Sequence, residues 1–307
     1  MDDDNRMHGK TVVITGASSG LGRGTAVQLA GLGANVVLAA RRRELLGEVA
    51  AECEAAGGSA LAVTTDVSDA DQVETLAARA LERFGRIDVW INDVGIGAIG
   101  PFWDVPLADH ARIVDVNLKG LIYGSHVALQ QFRAQGAGTL VNIGSIDSEV
   151  PLAYQGSYSA TKAGVLALGR VLNAELRLDN QDDIKVATVM PWAVDTPWWE
   201  HAANYSGGTP RMPAMDDPTK VVDAIVQTCL DPREEVAVGW KAKASYASHK
   251  VTPDLSERMS ADIAHKWQIE DAPPAPATTG TLYEPMQSGR GVDGGVRERM
   301  AREERQR

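Results

Sequence analysis

With 307 residues, 44% of them hydrophobic, the chain can bury a large core, and it reads as one α/β domain plus a tail, since single domains of this class reach ~250 residues. A net charge of −11, with no Lys/Arg stripe interleaved with aromatics, argues against nucleic acid as a partner. The acidic start Met1-Asp2-Asp3-Asp4-Asn5-Arg6 lacks a basic n-region and an apolar h-region, the chain has no 18-residue apolar run, and Cys53 and Cys229 are too few for a disulfide framework, so a cytoplasmic protein with no membrane segment is expected.

Strands are predicted near residues 11–15, 34–40, 59–64, 87–92, 139–145, 184–190 and 235–239, separated mostly by helical patterns. That alternation predicts an α/β fold: a doubly wound, Rossmann-like sheet of seven mostly parallel strands, with helices on both faces and ligands at the carboxyl ends of the strands. The first strand runs into Thr15-Gly16-Ala17-Ser18-Ser19-Gly20-Leu21-Gly22 and then a helical stretch ending near Gly33. Its G-x-x-x-G-x-G spacing is one residue wider than the usual dinucleotide fingerprint. The order strand, glycines, helix nevertheless favours a nucleotide site over a bland turn, because glycines let the backbone approach a pyrophosphate at a helix start.

The apolar run Thr139–Gly144 reads as a buried strand that delivers the Ser145 hydroxyl to a pocket. Thirteen residues on, Tyr158 and Lys162 stand four apart on one helical face, where a cation can acidify a phenol whose free pKa is ~10. Alone, such a pair is usually a solvated surface. Beside Ser145 it reads as proton-transfer chemistry. The helix from Ser159 to Leu178 carries Val165, Leu168, Leu172 and Leu176, with Leu166 and Val171 around the side; core packing accounts for half of this wide stripe. The six histidines show no i,i+4 pair and no nearby cysteine, so no metal site is expected.

Three units are expected: a disordered acidic N-terminus at 1–8, a catalytic dinucleotide-binding domain at 9–240 and an extension at 241–307. Within the extension, 241–268 reads as helical and polar, and 271–280 as a Pro-rich connector that isolates the last stretch of chain from the domain. At the end, Glu298 with Arg302 and Glu303 with Arg307 have the favourable i,i+4 orientation.

Together these motifs resemble the short-chain dehydrogenase/reductase family in its common single-domain form. The family's T-G-x-x-x-G-x-G corresponds to Thr15–Gly22, its Y-x-x-x-K to Tyr158–Lys162, its catalytic serine to Ser145 and its active-site asparagine to Asn117. The resemblance also covers Asp66-Val67, which in relatives lies against the adenine, then Asn92-Asp93-Val94-Gly95 in place of N-N-A-G, and Pro191-Trp192-Ala193-Val194-Asp195-Thr196 in place of P-G-x-V-x-T beside the nicotinamide. Asp93-Val94 and Trp192 are departures. The first is expected to rearrange local hydrogen bonding while Asn92 and Gly95 still face the cofactor, and the second to alter the substrate's space.

The resemblance implies an NAD(P)(H)-dependent oxidoreductase acting on a carbonyl or secondary alcohol. Tyr158 would transfer the proton, Lys162 would acidify it and reach the ribose, Ser145 would donate to the substrate oxygen, and Asn117 would hold a water. The implied cofactor contacts are Gly16, Ser18, Ser19, Gly20, Leu21, Gly22, Arg41, Arg42, Asp66, Val67, Asn92, Gly95, Tyr158, Lys162, Pro191, Val194 and Thr196. Relatives wall the substrate pocket with the segments holding Trp103, Tyr154, Trp192 and Trp198, so a bulky, apolar substrate is expected, weighed evenly against core filling. NAD-specific relatives carry an acid at the end of the second strand. Here Ala40 is followed by Arg41, Arg42 and Arg43, so NADP is expected over NAD, with Arg41 as main clamp and Arg42 and Ser18 as helpers. Relatives also pair subunits through the helix after Tyr158, implying a homodimer or homotetramer. An NAD-linked alcohol dehydrogenase and a non-catalytic dinucleotide sensor or scaffold are the alternatives.

Overall fold

The structure, a computed structural model, describes residues 5–306. In chain order the elements are β1 (Thr11–Thr15), α1 (Gly20–Gly31), β2 (Asn35–Ala40), α2 (Arg43–Ala55), β3 (Ser59–Thr64), α3 (Ala70–Phe84), β4 (Val89–Asn92), β5 (Ala98–Ile99), α4 (Leu107–Val114) and α5 (Gly120–Gln135). Next come β6 (Gly138–Ile143), α6 (Gly156–Leu178), β7 (Ile184–Met190), α7 (Trp198–His201), β8 (Ala203–Asn204), α8 (Pro218–Leu230), β9 (Glu235–Ala237), α9 (Gly239–Val251), α10 (Pro253–His265) and α11 (Val296–Gln306).

Seven strands form one parallel sheet in the order β3-β2-β1-β4-β6-β7-β9. All five residues of β1 are buried, as a strand covered on both faces by helices requires. The chain winds outward from β1 to β3 and returns on the other side as β4, whose Asn92 pairs with Thr15. The crevice for a ligand therefore opens above the carboxyl ends of β1 and β4. Apolar side chains of α1, α2 and α8 pack on one face of the sheet, and those of α3 and α5 on the other.

The N- and C-terminal regions differ from expectation. Of residues 1–8, expected to be disordered, 1–4 lie outside the described residues, whereas Asn5–Met7 form a 3-10 turn and Met7 is buried in the core. The helical stretch expected over 241–268 is two helices broken at Thr252-Pro253, because proline cannot continue a helix, followed by a π turn at Lys266–Glu270. The Pro-rich segment is not helical, yet it isolates nothing. Thr278 pairs antiparallel with Asn204 and Pro274 with Gly208, which carries the remaining chain back onto the domain. Glu298 meets Arg302 at 3.7 Å, as expected, and Glu303 pairs with Arg211; its expected partner Arg307 lies outside the described residues. Among the described residues no helix is long and apolar enough to cross a membrane.

Candidate active site

Ser145 stands just past β6 and caps a 3-10 turn. Its Oγ accepts from the Asp147 N–H at 3.1 Å, while its own N–H donates to Ser148 Oγ at 3.2 Å, so its position is fixed from both sides. Its hydroxyl faces the same cavity as the phenol of Tyr158, in the first turn of α6. One turn on, the buried Lys162 ammonium donates to the Ile143 carbonyl at 2.6 Å and lies 5.6 Å from the centroid of the Tyr158 ring. That ring also meets Trp198, centroid to centroid at 5.2 Å. Asn117 falls in a π turn, Asp115–Lys119, between α4 and α5. Its amide exchanges two hydrogen bonds with the backbone of Ile96, at 2.8 and 2.9 Å, and donates to Thr161 Oγ1 at 3.3 Å. These contacts hold it off the cavity lining.

The electrostatics differ from the simple expectation that Lys162 acidifies Tyr158. Burial pushes the phenol well above its ordinary value, helped by Asp147 and Asp93, and the Ser145 hydroxyl works against it. Lys162 is itself lowered to about 8 by burial, with Asp93 and Asp147 opposing. Burial likewise lifts Asp93 and Asp147 each to about 7, against the pull of Lys162 and, for Asp93, the N–H of Gly22. Asp147 lines the cavity and was absent from the sequence-based set. An acid two residues beyond Ser145 was the available signal.

A cavity of about 800 Å³ runs from the glycine turn to these side chains. Gly16, Ser18, Ser19, Gly20, Leu21, Arg41, Arg42, Asp66, Val67, Gly95, Pro191, Val194 and Thr196 all line it, as do Ser145, Tyr158 and Lys162. The turn is packed closely against the backbone just past β4. Gly16 has φ +80°, and a Cβ there would stand 2.9 Å from the Asp93 carbonyl oxygen. At the start of α1, Ser19 makes no side-chain cap. These features, and the cavity's size, suit a dinucleotide.

Several expected contacts lie elsewhere. Gly22 packs behind the turn, where a Cβ would be 2.5 Å from the Gly16 carbonyl oxygen. Asn92 does not face the cavity: its Nδ2 donates to Asn142 Oδ1 at 2.9 Å and Ser125 Oγ at 3.2 Å, and its Oδ1 accepts from Trp90 Nε1 at 2.9 Å, bracing β4 against β6 and α5. Trp103 is 84% exposed and outside the cavity. Tyr154 turns its hydroxyl to His265 Nδ1 at 2.6 Å on α10. Trp192 and Trp198 do line the cavity, joined by Trp199 and by Trp240, Met259 and Ile263 from the 241–268 region and its edge. Arg41, expected as the main clamp, donates to the Thr281 and Tyr283 carbonyls, both at 2.7 Å. Arg42 is the one that reaches Ser18 and Ser19, at 3.1 and 2.5 Å. Asp66 accepts from Ser68 and Arg112, which hold its carboxyl below the usual range despite burial. Among the described residues no group of three or more His, Cys, Asp or Glu could hold a metal ion.

Comparison with known proteins agrees with this geometry. The sequence pattern of the short chain dehydrogenase family matches residues 10–205. An uncharacterised oxidoreductase of Bacillus subtilis, YxnA, is 31% identical over 282 residues, covering 91% of this chain and 79% of its own. Among solved structures, a short chain dehydrogenase/reductase of Burkholderia phymatum in complex with NAD has a TM-score of 0.72 at 25% identity, over 89% of this chain and 98% of that one. An alcohol dehydrogenase of Thermococcus sibiricus complexed with 5-hydroxy-NADP has a TM-score of 0.63 at 29% identity, over 75% of this chain and 93% of that one. The chain belongs to the short-chain dehydrogenase/reductase family and is an NAD(P)-dependent dehydrogenase.

Proposed function

We propose that the protein interconverts a carbonyl and a secondary alcohol on a small, bulky and apolar substrate, with NADP(H) favoured. The observation that carries this reading is that Ser145 and Tyr158 line one cavity, with the Lys162 ammonium 5.6 Å from the centre of the Tyr158 ring. A bound nicotinamide supplies or accepts the hydride. In reduction, Ser145 Oγ and Tyr158 Oη together hold the carbonyl oxygen, a donor of this kind being worth ~3 kcal/mol, and the Tyr158 hydroxyl proton passes to that oxygen as it becomes an alcohol. In oxidation, Tyr158 takes the proton from the alcohol. Lys162, held at about 8, can restore the phenol's proton and keeps the phenolate charge countered. Asn117 is a positioning residue that fixes the Ile96 backbone and Thr161, next to Lys162.

Indole rings of Trp192, Trp198, Trp199 and Trp240 around the cavity support a bulky apolar substrate. For the cofactor, no acid follows Ala40, and Arg42 together with Ser18 and Ser19 forms the donor cluster suited to a 2′-phosphate. Gly16, Ser18, Leu21 and Thr196 would hold the pyrophosphate and nicotinamide ends, and Asp66 and Val67 the adenine. The use of NAD is the second reading, favoured by the engagement of Arg41 elsewhere. Exposed Ile122, Val171 and Leu178 on α5 and α6 support a homo-oligomer, and two buried free thiols, Cys53 and Cys229, a cytoplasmic setting.

A panel of bulky ketones and secondary alcohols, assayed with NADPH/NADP and NADH/NAD, tests the function. Turnover of at least one apolar member, faster with the phosphorylated cofactor, is expected. Binding of dinucleotide without turnover of any member would favour the sensor reading.

A further inference from the structure

Residues 281–291 form a strap across the open side of the β2 end, and their backbone carbonyls face cations. Arg41 donates to the carbonyls of Tyr283 and Thr281, both at 2.7 Å. Arg42 turns Nη1 to those of Met286, Ser288 and Gly289, at 3.3 to 3.4 Å. Arg23 donates to the Arg290 carbonyl at 2.7 Å, and the Gly20 N–H, at the uncapped start of α1, donates to the Gly291 carbonyl at 2.9 Å. Guanidinium groups and a helix-start amide are the donors a phosphate takes; here neutral carbonyls hold Arg41, the Gly20 amide and Nη1 of Arg42, whose other nitrogens reach Ser18 and Ser19, while Arg23 is also paired with the Glu52 carboxylate. The strap is anchored at both ends. Leu282 is fully buried and the Tyr283 hydroxyl donates to Asp109 at 2.8 Å, while Asp195 accepts from Val296 N, Arg297 N and Arg297 Nε at 2.8 to 3.0 Å. Thr281, Pro285 and Met286 line the cavity, which stays open beneath the docked strap.

We propose that the strap sets cofactor discrimination: it competes with a ribose 2′-phosphate for Arg41 and Arg42, so that NADP(H), but not NAD(H), binds against strap docking. This rests on the NADP(H) reading above. A phosphate forms charge-assisted bonds about twice as strong as those of a neutral carbonyl, so it can take the guanidinium donors from the strap. The 2′-hydroxyl of NAD(H) needs no cation and fits with the strap in place. Coupling of this kind is reciprocal: whatever factor NADP(H) loses to the docked strap is regained when the strap is loosened.

Fluorescence titration of NADPH and NADH against wild type, Arg297→Ala, Tyr283→Phe and a chain ending at Leu282 tests this. Loosened variants are expected to bind NADPH at least ~5-fold tighter, the lower end of typical coupling, with NADH affinity within twofold. Hydrogen exchange of residues 281–291 in the wild type is expected to quicken with NADP and not with NAD. Unchanged or weaker NADPH binding in the point variants, or slower strap exchange with NADP, overturns the proposal; the point variants decide it if the shortened chain does not fold. Arg42→Ala separates the two readings. If it weakens NADPH while the strap variants change nothing, the NADP reading stands and the strap proposal falls; if it leaves NADPH binding unchanged, both fall.

Discussion

Asp147 and Lys162 titrate against one another inside the cavity. Burial lifts the carboxyl to about 7 and lowers the ammonium to about 8, and each opposes the shift of the other. Their protonation therefore changes within the range where a dehydrogenase works.

The consequence for stability has a definite sign. A carboxyl whose folded value is raised contributes stability that is present below its unfolded value near 3.8 and is lost as pH rises through about 7. Asp147→Asn removes that loss. Lys162, with its folded value lowered, contributes a rise in stability only between about 8 and its unfolded 10.5. The melting temperature of Asp147→Asn relative to wild type is therefore expected to climb between pH 5 and pH 8. A constant difference across that range would show that Asp147 is ionised throughout.

Two of the three tryptophans expected in the pocket should now behave differently. Trp198 lines the cavity 5.2 Å from the Tyr158 ring, so Trp198→Ala is expected to lower kcat/KM for a bulky ketone by at least ~10-fold. Trp103 is exposed and outside the cavity, so Trp103→Ala is expected to leave kcat/KM within about twofold. Equal losses in steady-state assays would put Trp103 back in the substrate's path.

Local features were the legible ones in the sequence. The parallel sheet, the glycine turn and the approach of Ser145 to Tyr158 follow from buried-strand patterns and from the rule that ligands meet strand ends, and the structure places them together. Side-chain direction at the end of a strand was not legible. Asn92 points toward α5, where Gly124 leaves it room, since a Cβ there would fall 2.3 Å from its Oδ1; no pattern in β4 alone reveals that. Nor was the partner of Arg41, whose acceptors lie 240 and 242 residues away in a stretch with no periodicity. Prolines make the segment at 271–280 legible as non-helical, but a segment without a helix is not a detached one, and backbone pairing at Asn204 and Gly208 holds it down.

Cofactor choice is tested most simply at Arg42, the arginine next to Ser18 and Ser19. Charge-assisted contacts of this type are worth ~1.5 to 3 kcal/mol, so Arg42→Ala should raise the NADPH KM at least ~10-fold and leave NADH little changed. An indifferent variant, or a wild type that uses both cofactors equally, removes the case for NADP(H).

The central claim is that Tyr158 passes the proton to and from the substrate oxygen. Tyr158→Phe removes one hydroxyl from a ring packed against Trp198 and Lys162, so the fold and the dinucleotide site should persist. Turnover of the best ketone found in the panel, measured beside dinucleotide affinity on the same sample, decides the matter. A loss of at least ~10²-fold in kcat with affinity unchanged is the predicted result, because positioned acids contribute that much or more. Turnover within ~10-fold of wild type would contradict the account and send the search for the proton donor to Asp147 or Lys162.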